Sequence, residues 1–201
     1  MCDIENITTL YKTRADKELL LKFFLTFARF EFALKGTGWF IRTRPKKTPK
    51  HPVIKTARKA APQKYPDAKP DWAKFAQSLQ NVFSIDKNQT IEDACEYIFE
   101  NPPMKQVIIP TGDDNHEIAW ENAKVSYEST SVKFYQNSVE FYLNMVRRVR
   151  NNLFHGGKHN IGLHEDTQRT EKLLRSSLVI LKECLVLAPD DVKNAFKEAV
   201  I

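Results

Sequence analysis

The sequence has few cysteines and no long apolar run. Its three cysteines, Cys2, Cys95 and Cys184, lie far apart, and no CxxC pair occurs. This pattern is typical of a reducing compartment and argues against a disulfide framework and a structural zinc site. Because no stretch of about 18 apolar residues without charges occurs, we expect no membrane span. Residues 1–5 lack the basic and apolar regions that begin a signal peptide, so we expect a cytoplasmic protein.

The positive charge is concentrated in one proline-rich segment. The 201 residues carry a formal net charge of +6, and eleven Lys or Arg but a single acid, Asp67, lie between residues 35 and 70. Six of the ten prolines lie there too, and prolines at this density exclude a continuous helix. We interpret residues 35–70 as a basic, Pro-rich loop. Local basicity is expected of a polyanion-binding surface, and equally of a solvated loop without a partner.

The rest of the chain has the apolar periodicity of amphipathic helices. The three longest helical segments are about 4–35, 129–155 and 166–187. Shorter helices are predicted after Asp71, over about 90–100 and from 189 to 200. The β-prone runs 106–110 and 117–120 flank a turn and predict a small hairpin. We therefore predict a single all-α domain over residues 1–201: an antiparallel helical bundle with a long basic loop and a small β-hairpin.

The candidate functional site lies at the end of the helix predicted over 129–155. Its last turns hold Arg150, Asn151 and His155, and Gly156 and Gly157 follow. An arginine can bind a phosphate and stabilise the charge that develops on a phosphorane. A histidine with a pKa near neutrality can take or donate a proton. Such groups can cleave RNA without a metal, because the 2′-hydroxyl of the substrate is the nucleophile.

The spacing of these residues leaves a structural alternative open. Asn151 and His155 share a helix face, whereas Arg150 and His155 are about 140° apart on an ideal helix. The latter two converge only if the helix end loosens or if two chains contribute to one site. The arginines near the helix end could instead complement its dipole, with His155 as a C-terminal cap.

Two further groups of side chains could contribute to such a site. His155, His159 and His164 have spacings that a metal could use, but no cysteine or carboxylate lies in register with them. We therefore expect no metal and no cofactor. Glu31 lies at the edge of the apolar stripe of the first helix, where a carboxylate could orient a catalytic group or could be a rim charge.

Residues 150–155 resemble the signature of HEPN-domain ribonucleases: an arginine, a polar residue, about three further residues and a histidine, near the end of a long helix. The all-α context is also similar to that family. The resemblance implies a metal-independent endoribonuclease that leaves a 2′,3′-cyclic phosphate and a 5′-hydroxyl. It implies Arg150 as the phosphate and transition-state ligand, Asn151 as a supporting polar residue and His155 as the acid/base.

The resemblance also implies a homodimer with a composite active site. It implies a toxin or anti-phage effector as well, with an antitoxin or activator as a further partner. The chain departs from the family at Gly157, where some family toxins have a tyrosine, and at the 35–70 insertion, which the family pattern does not explain. We hypothesise that the insertion guides RNA to the site. The candidate RNA-binding residues are Arg147, Lys158, Lys46, Lys47, Lys55, Arg58 and Lys59.

Two other interpretations are compatible with the same residues. One is a non-catalytic HEPN-like module that binds RNA or a nucleotide, which predicts binding without cleavage. The other is a protein-interaction domain whose basic segment contacts an acidic partner, which predicts that Arg150 and His155 are dispensable.

Overall fold

A computed structural model of the chain describes residues 14–42, 68–112, 115–122, 138–154 and 166–199. These residues form six α-helices and one β-hairpin, which confirms the predicted all-α fold. The helices are α1 (Arg14–Gly36), α2 (Trp72–Leu79), α3 (Gln89–Glu100), α4 (Val139–Phe154), α5 (Asp166–Leu187) and α6 (Asp190–Glu198). A short 3-10 helix, Ile85–Lys87, precedes α3, and strands β1 (Met104–Gly112) and β2 (Asn115–Asn122) lie between α3 and α4.

The helix ends follow local signals in the sequence. Asp71 caps α2, because its Oδ1 accepts a hydrogen bond of 3.1 Å from the backbone N–H of Lys74. Asn88 caps α3 in the same way through the N–H of Ile91, also at 3.1 Å. At the other end of the first helix, α1 stops at Gly36 and Gly38 has a φ of 72°. Glycine adopts this left-handed conformation without strain.

The β-hairpin contains both predicted β-prone runs. Its strands are antiparallel, with Val107 opposite Ala119 and Ile108 opposite Ile118. Each strand extends two residues beyond the predicted run at both ends. The carbonyl of Pro102, just before β1, accepts a 2.7 Å hydrogen bond from the Arg169 guanidinium, which ties the base of the hairpin to α5.

One hydrophobic core joins the helices. Helix α1 packs against α5 and α6, α2 packs against α4, and α3 packs against α5. Phe27 and Phe30 of α1 both stack on Trp72 of α2, with ring centroids 5.3 and 5.7 Å apart. All three rings are buried. Because α2 also contacts α4, this aromatic stack sets the distance between α1 and the helix that carries the candidate site.

The last helix is attached to the first through Arg29. Its guanidinium donates hydrogen bonds of 2.7 and 3.2 Å to the carbonyl of Phe196 and lies 4.5 Å from the centroid of the Phe196 ring. A third bond, of 3.3 Å, reaches the carbonyl of Lys197. A cation at the C-terminal turn of α6 satisfies carbonyls that have no partner within the helix.

Two predictions about element ends differ from the structure. The apolar spacing after Asp71 continues through Val82 and predicts a helix to that residue, but the helix ends at Leu79 and Val82 is exposed in the following turn. The helix predicted over 129–155 begins at Val139, and the carbonyl of Ser138 accepts a 3.4 Å bond from the N–H of Tyr142. The start predicted for that helix, residues 129–131, whose hydroxyl side chains could cap it, lies outside the described residues, as does the start of the first helix before Arg14.

Candidate functional site

The last two turns of α4 hold two arginines and the amides that bind them. Arg150 Nη1 donates a hydrogen bond of 3.1 Å to Asn151 Oδ1. Arg147 Nη1 donates one of 3.2 Å to Asn144 Oδ1, one turn earlier. Both arginines are half-buried, whereas Asn151 is exposed. Because residues three apart lie on one side of a helix, α4 presents two oriented guanidinium groups at the same surface.

Aromatic rings from α1 and α2 lie against these guanidinium groups. Arg150 Cζ is 5.7 Å from the centroid of the Phe27 ring, and Arg147 Cζ is 6.0 Å from that of Trp72. Cation–π attraction at such distances contributes about 0.5–1 kcal/mol per pair at an exposed site. Since Phe27 and Trp72 are themselves stacked, a single aromatic surface restrains both arginines.

Arg147 is part of a charge cluster formed by three segments. Burial lowers the pKa of its guanidinium from the ordinary value, the Glu31 carboxylate on α1 opposes this shift, and the Arg42 cation adds to it. An arginine remains protonated under these conditions. Glu31, an edge residue in the sequence prediction, therefore acts electrostatically on Arg147.

The basic segment, the Pro-rich stretch predicted over residues 35–70, has paired residues near its two ends. The N–H of Arg42 donates a 2.8 Å hydrogen bond to the carbonyl of Lys69, and Ile41 forms an antiparallel bridge with Pro70. Residues 41–42 therefore run alongside residues 69–70. Arg42, at one of these paired positions, helps to lower the pKa of Arg147, so the pair is linked electrostatically to α4.

The predicted site residues are brought together only in part by the described structure. Arg147, Arg150 and Asn151 lie together on α4, and Phe154 is the last described residue of that helix. His155, the predicted acid/base, comes next in the sequence and lies outside the described residues. The predicted RNA-binding residues that also lie outside them are Lys158, Lys46, Lys47, Lys55, Arg58 and Lys59.

Two residues of the site were not identified from the sequence. Asn144 could have been found, because it lies three residues before Arg147 and thus on the same helix face. Arg42 gave no comparable signal, since its position depends on the pairing of residues 41 and 70 across the whole basic segment.

No protein-family model matches the chain, and neither a curated protein nor a solved structure matches it significantly. Within the described ranges, no group of three or more His, Cys, Asp or Glu side chains could hold a metal ion. No helix among the described residues is long and apolar enough to cross a membrane. The site combines two restrained guanidinium groups with a neighbouring basic segment. This arrangement is suited to binding a phosphodiester.

Proposed function

We propose that the protein is a metal-independent endoribonuclease of the HEPN type, with Arg150, Asn151 and His155 in its active site. The observation that carries the proposal is the hydrogen bond between Arg150 and Asn151 near the end of α4. Arg150 precedes His155 by five residues in the sequence, and Asn151 precedes it by four. A guanidinium whose direction is set by its neighbour loses less entropy when it binds a phosphate. This pairing is what a phosphate and transition-state ligand requires.

The proposed reaction is an internal transesterification of the RNA backbone. The 2′-hydroxyl oxygen attacks the adjacent phosphorus, and the bond from phosphorus to the 5′-oxygen breaks. The products are a 2′,3′-cyclic phosphate and a 5′-hydroxyl. His155 takes the proton of the 2′-hydroxyl or delivers one to the 5′-oxygen. Arg150 stabilises the additional negative charge on the non-bridging oxygens.

A homodimer is part of the proposal, because one histidine cannot accept one proton and donate another in the same step. Two copies with adjacent sites would supply two imidazoles and two arginines to one cleft. This arrangement also removes the difficulty that Arg150 and His155 are about 140° apart on one ideal helix.

The proposed substrate path includes Arg147 and the basic segment. Arg147 lies one turn before Arg150 and would bind a phosphate next to the scissile one. Arg42 and Lys69, which flank residues 43–67 in the sequence, are joined by a hydrogen bond, and Arg42 acts electrostatically on Arg147. The proposal assigns the binding of flanking RNA to the cations of residues 43–67. The resemblance alone supports the wider role, a toxin or anti-phage effector in the cytoplasm that is controlled by an antitoxin or activator.

A non-catalytic RNA-binding or nucleotide-binding module is the second candidate. The paired arginines on α4 and the adjoining basic segment favour it, because they suffice for anion binding and need no contribution from His155. A protein-interaction domain would use the same basic segment for an acidic partner.

Cleavage of mixed RNA in EDTA by wild type and His155→Ala tests the proposal. We expect wild type to produce cyclic-phosphate ends and His155→Ala to lose at least about 100-fold in rate, the usual effect of removing a general acid or base. His116→Ala, in strand β2, is the matched control and should retain activity. Circular dichroism and size-exclusion chromatography verify that the variants are folded. Undiminished cleavage by His155→Ala contradicts the proposal, and RNA binding without cleavage by all three proteins favours the binding module.

A further inference from the structure

Helix α1 has an apolar stripe on the side that faces away from the core. Leu21, Leu25 and Phe32 are 58%, 38% and 51% exposed, and Ala28 is exposed between them. Their spacings of four, three and four residues are those of a helix–helix seam. Contiguous exposed apolar side chains of this kind are typical of interaction surfaces. These four residues are called the α1 seam below.

Charged residues of opposite sign continue the α1 seam at its two ends. Glu18 lies three residues before Leu21, and Lys35 lies three residues after Phe32, so both occupy the next seam positions. The seam from Glu18 to Lys35 is about 26 Å long at the rise of an α-helix. At these two seam positions, Glu18 and Lys35 are complementary to those of a reversed copy of the seam; the exposed Lys17 lies beside Glu18.

We propose that a second copy of this chain docks antiparallel on the α1 seam. A two-fold axis between residues 26 and 27 would place Leu21 opposite Phe32 of the second copy and Leu25 opposite its Ala28. Glu18 would then face Lys35 of the second copy. Each of these contacts occurs twice in a symmetric dimer. A parallel arrangement would instead place like charges together at both ends.

The same two-fold axis brings the two candidate sites together. Phe27 and Glu31, which lie next to the arginines of α4, are on one side of the α1 seam. A two-fold axis perpendicular to the plane of two antiparallel helices leaves the side with Phe27 and Glu31 on the same face of the dimer in both copies. Phe27 is next to the axis along the helix. The two Arg150 side chains therefore lie on opposite sides of the axis and at the same level along it. This inference rests on the homodimer in the proposed function, although not on the nuclease chemistry.

Sedimentation equilibrium of the full chain without RNA tests the docking surface. We expect wild type to dimerise and Leu25→Glu to raise the dimer Kd at least about 100-fold, because it places a charge in the centre of the seam. Val186→Glu is the matched control: Val186 is 53% exposed on α5, and this variant should remain dimeric. A monomeric wild type, or a Leu25→Glu variant that dimerises as wild type does, overturns the proposal.

Charge exchange tests the antiparallel register. Glu18→Lys and Lys35→Glu each create two like-charge contacts, and each should raise the dimer Kd about tenfold. The double variant restores opposite charges and should return to within about threefold of wild type. A double variant as weak as the single ones overturns this register. Because assembly is measured without RNA, a dimer that does not cleave contradicts the proposed nuclease alone. Cleavage by a monomeric wild type contradicts this inference and the homodimer of the proposed function, but not RNA cleavage itself.

Discussion

The guanidinium of Arg150 lies against the ring of Phe27, with 5.7 Å between Cζ and the ring centroid. Phe27 is buried on α1 and stacked on Trp72 of α2. Side chains from three helices therefore determine where this arginine of α4 lies. A change in the core beneath it should therefore shift this guanidinium.

Replacement of Arg150 by lysine should lower RNA cleavage by at least about 100-fold, although the positive charge is kept. Lysine lacks the planar set of N–H donors with which arginine binds two phosphate oxygens at once. These bonds stabilise the phosphate most in the transition state, where its negative charge is greatest. Single-turnover cleavage of a labelled RNA measures the loss. Arg175→Lys is the matched control, since Arg175 is exposed on α5 and pairs only locally with Glu171. If Arg150→Lys cleaves as fast as wild type, Arg150 contributes charge without directional bonding.

Replacement of Glu31 by glutamine should tighten RNA binding about threefold. Its carboxylate attracts Arg147 and competes with phosphate for the same cation, an interaction of about 1 kcal/mol in water. Fluorescence anisotropy with a short RNA measures the affinity, in a His155→Ala background that prevents cleavage. Glu171→Gln, on the outer face of α5, is the control. Weaker binding by Glu31→Gln would mean that the carboxylate orients Arg147 and does not compete with RNA.

Neutralisation of the basic segment should weaken RNA binding and reduce its dependence on salt. Each lost phosphate contact lowers the slope of log K against log salt by about 0.7 for single strands. The variant changes five cations to glutamine: Lys46, Lys47, Lys55, Arg58 and Lys59. A control with the same net charge changes five exposed cations elsewhere: Lys74, Lys172, Arg175, Lys182 and Lys197. Equal salt slopes for the two variants would show that only net charge matters.

Stability should decline as the pH rises above about 9. Burial raises the pKa of Cys95 from 9.0 to about 12, despite a hydrogen bond with Tyr142 that lowers it. Burial also raises the pKa values of Cys184 and Tyr142. The folded state thus holds protons that the unfolded state releases, so stability is complete below the unfolded pKa and is lost as the pH approaches the folded one. Each group contributes up to about 1.4 kcal/mol per pH unit in this range.

Urea unfolding at pH 7.5, 9 and 10.5 measures this decline. Cys184→Ala should be less stable than wild type at neutral pH, because it leaves a cavity at a fully buried position. It should also show a shallower decline with pH, because one of the three groups is gone. A decline as steep as that of wild type would show that Cys184 does not contribute.

Much of the fold could be predicted from local signals. The phenylalanines of α1 recur at helical spacing and identify its buried face. Asp71 identifies the start of α2, and the turn at 111–115 identifies the hairpin. The proximity of Arg150 to Asn151 follows from their adjacency in the sequence. In each case the determining interaction joins residues that are close along the chain.

The remaining features depend on contacts between distant residues. Arg42 acts on Arg147 only because residues 41 and 70 pair and return the chain to α4. The α1 seam was not recognised, since α1 is apolar on two sides and periodicity does not say which side another element covers. Ser138 precedes the first turn of α4 although the sequence pattern is continuous through it, and no contact among the described residues explains this helix start.

The attachment of α6 to α1 has a consequence for synthesis of the chain. Arg29 binds the carbonyl of Phe196, a separation of 167 positions, and α1 otherwise packs on α5. The first helix therefore leaves the ribosome long before α5 and α6, and in the interval α2 is the element that can cover Phe27 and Phe30. Because Arg150 rests on Phe27 of that helix, the site depends on a helix whose packing is complete only after α5 and α6 have been made.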